Sequence, residues 1–414
     1  MINKKTLPNG VRIMAEKNDT VRSVAMGIWV KTGSRNEEAV ENGISHFIEH
    51  MLFKGTETRS SQEIAEAFDR IGGQVNAFTA KEYTCYYAKV LDEHARIAVD
   101  VLQDMFFHSV FDEKEIEREK NVVLEEIRMV EDTPDDLVHD LLSEASFGRA
   151  TLANPILGTE ETLRTFNKKQ IRTYMDRFYT GDHVVISVAG HYDEALIDEI
   201  EEIFSEVKPS THLFEIPAAE FVPIHKFRYK ETEQAHICLA YPGLEIGSDD
   251  AFGLVLLNNA LGGSMSSRLF QKIREEQGLC YSVFSYHSSY EKIGTTTLYA
   301  GTQLAQLPQL TEAMAGVVNE FQLNGLTKKE LDNGKEQLKG NIMLGLESTN
   351  SRMSRNGKNE MLLEKHKSLD ELLDDINSVS LEKVNELARS LFETSPALSI
   401  VSSSEIMPQT VYSS

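Results

Sequence analysis

The order of predicted elements occurs twice along this chain of 414 residues, which constrains the fold more than any single motif. In the first half, an alternating strand is followed by two helices and a strand-rich run: VRSVAMGIWVKTGS, NGISHFIEHMLF, SSQEIAEAFDRIGG and QVNAFTAKEYTCYYAKV. The second half gives the same order: QAHICLAYPG, DDAFGLVLLNNALGG, SRLFQKIREEQGLCY and SVFSYHSSYEKIGTTTLYAGT. This repetition predicts an α+β protein of two homologous halves.

A proline-marked stretch without periodicity separates the two halves. It covers about residues 207–224 and contains Pro209, Pro217 and Pro223. We therefore predict an N-terminal domain at 1–206, a linker at 207–224 and a C-terminal domain at 225–414.

The charge balance limits the classes of partner. The formal net charge is −23, from 42 basic and 65 acidic residues, so the field of the protein repels nucleic acid and anionic membrane surfaces. Three cysteines without metal-type spacing, no signal-peptide pattern and no long apolar segment lead us to expect a cytoplasmic protein. We expect neutral or basic partners, with neither nucleic acid nor membrane among them.

Three polar side chains in NGISHFIEHMLF carry the strongest chemical signal. His46 and His50 are four residues apart, so on a helix both imidazoles project from one face and can bind one cation. Glu49 lies alongside them and can take a proton from a water that a metal has acidified. The alternative is a partly buried helix with one satisfied histidine and a surface Glu–His pair.

A catalytic zinc site needs a third protein ligand, and one acidic helix at 112–134 offers several glutamates. Glu119 and Glu126 are seven residues apart and share a face, yet about 10 Å separates them along the axis. One of them would bind the metal while the other orients a ligating histidine. Spacing alone does not choose between them.

His46-Phe47-Ile48-Glu49-His50, followed by Glu126 within VVLEEIRMVEDTP, resembles the pitrilysin family of inverted zinc metallopeptidases. The family includes insulin-degrading enzyme and mitochondrial processing peptidase. The resemblance implies one Zn²⁺ per chain, Glu126 as third ligand, Glu119 in support and Glu49 as general base. It also implies two halves, each a mostly antiparallel sheet packed with helices, that close like a clamshell around a cavity, often as a homodimer.

Two further segments match the same family. GGQVNAFTAKEYTCYY resembles the strand whose backbone, at Asn76, Ala77 and Phe78, adds an extended peptide to a sheet edge. RLFQKIREEQGLCYSV resembles the segment whose arginine and tyrosine, here Arg274 and Tyr281, reach the reacting carbonyl. Without the resemblance, the first three residues would be plain sheet, Arg274 a surface helix residue and Tyr281 a strand aromatic.

These observations predict a zinc metalloendopeptidase that hydrolyses short or unfolded peptides, with a preference for basic ones. One alternative is a non-catalytic substrate-binding or assembly subunit of the same family, although such a scaffold has no need of Glu49 between two ligands. Another is a zinc-dependent hydrolase with a non-peptide substrate, against which the strand-pairing segment speaks.

Overall fold

The structure is a computed structural model that describes residues 2–211 and 215–404. Eleven strands occur in these residues: β1 (Ile2–Thr6), β2 (Arg12–Lys17), β3 (Ser23–Val30), β4 (Gln74–Thr79), β5 (Thr84–Leu91), β6 (Val184–Gly190), β7 (His225–Tyr229), β8 (Gln234–Gly243), β9 (Ser282–Tyr290), β10 (Ile293–Gln303) and β11 (Ala397–Ser402).

Fourteen α-helices occur in the same described residues. They are α1 (Ile44–Leu52), α2 (Ser61–Asp69), α3 (Ala95–His108), α4 (Glu113–Asp132), α5 (Pro134–Phe147), α6 (Glu160–Thr165), α7 (Lys168–Phe178), α8 (Glu194–Phe204), α9 (Ala251–Leu261), α10 (Leu307–Asn324), α11 (Lys328–Gly345), α12 (Thr349–Leu362), α13 (Leu369–Ser378) and α14 (Leu381–Phe392). Short 3-10 turns and one π-helical turn at Phe270–Glu275 join them.

The two sheets have matching topologies. The first has strand order β1-β2-β6-β3-β5-β4 and the second has β7-β11-β8-β10-β9. β2 pairs in parallel with β6 and β7 pairs in parallel with β11, while every other pair is antiparallel. Apart from the added strand β1, the second sheet repeats the first strand for strand. The predicted fold class, two homologous α+β halves with mostly antiparallel sheets, is confirmed.

The chain forms two compact units, each assembled from three segments. The first unit holds the residues up to Ile127, Pro155–Pro217 and Met343–His366, and the second holds Arg128–Asn154, Ala218–Ile342 and the residues from Lys367 onward. The corresponding helices α5 and α12 thus each belong to the unit built mainly from the other half of the sequence. The linear division at 207–224 stays a prediction of where the duplicated halves join, and parts of it, residues 212–214, lie outside the described residues.

In the first unit, one face of the sheet packs against α1, α3, α7 and α8 around a large apolar core. The other face is covered by α12, whose Met353 is buried against Trp29 and Cys85. A Cβ at Gly357 of α12 would lie 2.3 Å from Trp29 Nε1, so only glycine allows this close approach. Complete burial of such side chains stabilises the fold by about 1.5 to 3 kcal/mol each.

The second unit has the same arrangement. One face of its sheet packs against α9, α10 and α14, and α5 covers the other face with Val138 and Leu141. Ser399 Oγ in β11 donates a hydrogen bond of 2.7 Å to Val138 O, which ties helix to sheet. In the described part of the chain, no helix has the length and apolar character required to cross a bilayer.

Candidate metal centre and active site

Helix α1 presents one polar face from an otherwise buried element. Its apolar side chains, and Ser45, are buried, whereas His46, Glu49 and His50 are the three residues of the helix that keep partial exposure. The buried residues follow the 3.6-residue period and anchor the helix in the core. The three polar side chains therefore face the same direction, as the sequence predicted.

The start of α1 is held by a buried carboxylate. Gly43 precedes the helix with φ 93°, a left-handed conformation that favours glycine. Glu37 accepts hydrogen bonds from the backbone N–H of Gly43 at 2.7 Å, the N–H of Ser45 at 2.9 Å and Asn42 Nδ2 at 3.0 Å. Burial raises the pKa of Glu37 even though these donors lower it. A carboxylate at a helix N-terminus also complements the helix dipole, so the helix has a fixed starting point.

Glu126 of α4 meets the two histidines of α1. Its Oε2 lies 3.6 Å from His46 Nε2 and 3.6 Å from His50 Nε2. These distances are too long for hydrogen bonds, whereas ligand atoms around a tetrahedral zinc are separated by about 3.3 to 3.4 Å. Elsewhere in residues 2–211 and 215–404, no group of three His, Cys, Asp or Glu side chains converges in this way. The donor set and its spacing therefore fit zinc.

Glu119 does not join this group but contacts the outer nitrogen of one histidine. Its Oε1 lies 2.8 Å from His50 Nδ1, and its Oε2 lies 2.7 Å from Lys54 Nζ. Burial would raise the pKa of Glu119, but the bonds to His50 and Lys54 outweigh it and lower that pKa. Although burial lowers the pKa of His50, an ionised Glu119 accepts its Nδ1–H and raises the pKa of that imidazole, which leaves Nε2 as the nitrogen on the side of Glu126 that can bind a metal. Lys54 is a supporting residue that sequence reasoning missed.

His46 is held in the neutral form that metal binding requires. Burial and the neighbouring His50 lower the pKa of His46 to about 3. The two rings are 4.5 Å apart between centroids. The Nδ1 atom of His46 is buried without a hydrogen-bond partner among the described residues. A neutral imidazole has one nitrogen lone pair available to a cation.

Glu49 is partly buried beside these donors. Burial raises its pKa, against the opposing effect of a hydrogen bond from Thr79 Oγ1 to its Oε2. The contact links α1 to the last residue of β4. Thr79 was not singled out from the sequence. Val75 and Ala77 of β4 pack on the core of the first unit, and strand alternation places the side chain of Thr79 on the same face.

Within residues 2–211 and 215–404, β4 is an edge strand whose one pairing partner is β5. Ala80 N donates to Tyr83 O at 2.8 Å in the connecting turn, so residues of β4 alternate between pairing with β5 and facing the open edge. Among the predicted substrate-pairing residues, the backbone of Ala77 faces the open edge, while the backbones of Asn76 and Phe78 face β5. Asn76 Oδ1 accepts from Ala77 N at 2.8 Å. In this register the backbone of Ala77 is oriented for pairing with a peptide, and the substrate-binding roles of Asn76, Ala77 and Phe78 stay a prediction.

Arg274 and Tyr281 belong to the second unit. Arg274 lies in the π-helical turn, and its guanidinium stacks 4.6 Å from the ring centroid of Tyr281. The Tyr281 side chain is 79% exposed, which leaves its hydroxyl open to solvent. The pair is brought together as a cation–π contact. Their catalytic roles stay a prediction.

The chain matches two family models in succession. Residues 12–160 match the model described as insulinase, peptidase family M16, and residues 165–338 match the model described as peptidase M16 inactive domain. The second description agrees with the absence of a His-x-x-Glu-His pattern from the second half.

Relatives matched over nearly their full length agree with these models, and a solved structure has the same fold. The uncharacterized zinc protease YmxG of Bacillus subtilis is 59% identical, with 99% of this chain and 100% of that protein covered. An uncharacterized zinc protease of Streptomyces coelicolor is 38% identical, over 97% of this chain and 89% of that protein. A protease from Helicobacter pylori shares the fold at a TM-score of 0.89 and 19% identity, over 97% of this chain and 99% of that chain. The chain therefore belongs to the insulinase family, peptidase family M16.

Proposed function

We propose that this protein is a zinc metalloendopeptidase that hydrolyses peptide bonds in short or unfolded peptides. The observation that carries the proposal is the position of Glu126 Oε2, 3.6 Å from the Nε2 atoms of both His46 and His50, with Glu49 beside them. The names of the full-length relatives, which are zinc proteases, support the same activity.

Different residues of the first unit would bind the metal, transfer the proton and orient a ligand. His46, His50 and Glu126 would hold a zinc ion, which would supply Lewis acidity and lower the pKa of a water towards about 7. Glu49 takes the proton of the attacking water and gives it to the departing amine, because its carboxylate lies next to the ligands on the same helix face. Glu119 holds His50 through Nδ1.

The open edge of β4 supports a peptide as the substrate. An extended chain can add to such an edge through main-chain hydrogen bonds, with Ala77 facing it. Bond formation with Ala77 N requires the Asn76 side chain to release it. The net charge of −23 favours basic peptides over acidic ones. We further propose that the active form is a homodimer, which sedimentation at working concentration would test.

Arg274 and Tyr281 are proposed, from the family resemblance, to stabilise the oxyanion that forms at the scissile carbonyl. Loss of one oxyanion donor costs about 10²- to 10³-fold in kcat. We therefore expect Tyr281→Phe to lower kcat while the zinc content stays at the wild-type level. An unchanged kcat in this variant would remove Tyr281 from the mechanism.

The test is cleavage of unstructured basic and neutral peptides by the zinc-loaded protein, followed by mass spectrometry. Glu49→Gln and a chelator serve as parallel controls. We expect hydrolysis in the wild type, a drop of about 10²- to 10⁴-fold in Glu49→Gln with zinc retained, and complete loss after chelation.

One result of this experiment would contradict the proposal. A wild-type protein that binds one zinc and the peptides but leaves every peptide intact would contradict the enzyme proposal. The non-catalytic binding-subunit alternative would then account for the chain.

A further inference from the structure

Thr79 combines two features that no other residue of β4 shares in this structure. Thr79 is two residues after Ala77 in β4, so its backbone N–H and C=O face the open edge as those of Ala77 do. Its side chain points to α1, where Oγ1 donates a hydrogen bond to Glu49 Oε2. One residue thus touches both the edge that a peptide would join and the carboxylate that would act as base.

The turn that follows Thr79 is held in place from a neighbouring loop. Arg35 N donates to Lys81 O at 2.8 Å, and Arg35 Nη1 contacts Glu82 Oε1 at 2.6 Å in a buried ion pair. A Cβ at Gly33 would lie 2.1 Å from Ala80 O, which shows how closely this loop approaches the turn. The end of β4 is therefore fixed, and Thr79 with it.

The second unit contains a matching contact without an acidic group. Helix α9 follows β8 as α1 follows β3, and Asn258 stands at the position that corresponds to Glu49. Ser285 Oγ, on the edge strand β9, donates to Asn258 Oδ1 at 2.8 Å. A hydroxyl from the edge strand thus contacts the same helix position in both units. Comparison of the two contacts distinguishes two roles. A structural role is possible in both units, whereas an effect on a reacting carboxylate is possible only in the first unit.

We propose that Thr79 is a positioning residue that fixes the Glu49 carboxylate relative to a peptide paired with β4. Because Thr79 engages Oε2, we assign the other oxygen, Oε1, as the one that receives the proton. The backbone of Thr79 would position the paired peptide, and its hydroxyl would position the Glu49 carboxylate, so the scissile bond and the base would lie at a fixed distance from each other. This inference rests on the proposed function, because it assigns Glu49 the role of base.

The role predicts a particular kinetic pattern. Removal of the hydroxyl leaves the strand backbone intact, so peptide binding and KM should change little. The carboxylate loses its fixed orientation, so kcat should fall, since misplaced catalytic groups lose much of their effect. Zinc affinity should be unchanged, because the Thr79 hydroxyl donates its hydrogen bond to Glu49, which is not one of the three proposed ligands.

The experiment compares Thr79→Val, which keeps the branched shape, with Thr79→Ser, which keeps the hydroxyl, in the zinc-loaded full chain. Ser285→Ala is the control, because it removes the edge-strand hydroxyl that contacts Asn258 in the second unit. We expect Thr79→Val to lower kcat about 10- to 100-fold with KM within about twofold. Thr79→Ser should recover most of the rate, and Ser285→Ala should retain wild-type kcat.

The inference is overturned if Thr79→Val keeps kcat within about twofold of wild type, or if Thr79→Ser is as slow as Thr79→Val. An equal loss of kcat in Ser285→Ala would also overturn it, because that result identifies a structural tie.

A crystal structure of metal-free Thr79→Val gives a readout that does not depend on activity. A reoriented Glu49 carboxylate supports the inference, and an unchanged carboxylate contradicts it. Peptide cleavage by the wild type is scored separately, so its absence would count against the proposed function alone.

Discussion

Helices α1 and α9 occupy corresponding positions in the two units, yet α1 exposes ionisable side chains where α9 exposes neutral ones. Both show the same burial pattern, with buried pairs at 47–48 and 51–52 in α1 and at 256–257 and 260–261 in α9. This alignment sets Val255, Asn258 and Asn259 where the first unit has His46, Glu49 and His50. The duplicated scaffold therefore keeps the helix and exchanges its polar face.

The facing helices extend the comparison. In the second unit, Asn259 Nδ2 donates to Gln337 Oε1 at 3.2 Å, so the two neutral amides satisfy each other. In the first unit, the gap of 3.6 Å between His50 Nε2 and Glu126 Oε2 is not closed by a hydrogen bond. The same scaffold therefore holds an amide pair joined by a hydrogen bond in the second unit, and in the first unit a histidine and a glutamate whose spacing fits a shared cation.

The largest effect is expected when the first site is converted into its counterpart. His50→Asn with Glu126→Gln replaces two zinc donors by amides like Asn259 and Gln337, which are poor zinc ligands. We expect zinc affinity to fall by at least about 10³-fold, measured by competition with a chromophoric chelator.

The matched control for this conversion is Gln337→Ala, which removes the amide acceptor in the second unit. It should leave zinc affinity at the wild-type level. A double variant that binds zinc within about tenfold of wild type would break the comparison.

Helices α12 and α5 give the next largest effect, because α12 carries a buried charge, Glu360, whereas the ion pair of α5, between Glu144 and Lys226, is exposed. Glu360 of α12 is buried and contacts Lys4 Nζ at 2.8 Å, His366 Nε2 at 2.8 Å and Arg12 Nη1 at 3.5 Å. Glu360→Gln removes the buried negative charge that faces Lys4 and Arg12, and it should reduce the free energy of unfolding of the first unit by about 3 kcal/mol. Hydrogen exchange of α12 measures the loss.

The counterpart substitution in the second unit is Ser399→Ala, which removes the bond to Val138 O. It should cost about 1 kcal/mol. A cost for Glu360→Gln no larger than this would show that charge does not hold α12.

Glu119→Gln should weaken zinc binding by about 10- to 100-fold, because an amide no longer fixes the His50 tautomer as a carboxylate does. The nitrogen-15 chemical shifts of His50 in the metal-free protein give a second readout. We expect its proton to shift from Nδ1 towards a mixture of both tautomers. Wild-type zinc affinity together with unchanged shifts would remove Glu119 from the site.

Glu330, seven residues before Gln337 as Glu119 is before Glu126, should affect stability only modestly. Burial would raise its pKa, but the Arg268 guanidinium at 2.7 Å and the donors of Thr327 lower it to about 2. Because the folded pKa lies below the ordinary value of 4.5, this carboxylate stabilises the protein above pH 4.5. That stability is lost as the pH falls from 4.5 towards 2.

Glu330→Gln should therefore be less stable than wild type by about 1 to 2 kcal/mol at pH 7, a value reduced because 27% of the side chain is exposed. The difference between the two proteins should shrink as the pH approaches 2, as measured by urea denaturation at several pH values. A difference that does not depend on pH would contradict this assignment.

Local pattern was enough to predict much of the fold. The spacing of His46, Glu49 and His50 in NGISHFIEHMLF predicted the polar face of α1, and the acidic helix predicted at 112–134 corresponds to α4. The order of elements predicted two matching halves, since the order is a property of the linear sequence. These features depend on neighbours within one turn or one strand.

Features that depend on tertiary packing were not predictable in this way. The placement of α5 and α12 in exchanged units follows from which sheet face each helix covers. Whether the backbone of Ala77 faces the open edge depends on the register of its hairpin. The contact of Thr79 with Glu49 joins residues that are 30 positions apart in the sequence. Spacing left Glu119 and Glu126 as equal candidates, and only their positions relative to His50 separate them.

The most direct test of the account is an anomalous difference map, recorded at the zinc absorption edge, from crystals of the zinc-loaded protein. The account predicts one peak per chain, about 2.0 to 2.2 Å from Nε2 of His46, Nε2 of His50 and a carboxylate oxygen of Glu126, and none between Asn259 and Gln337. A peak bound by Glu119 instead of Glu126, or zinc at another place in the chain, would contradict it.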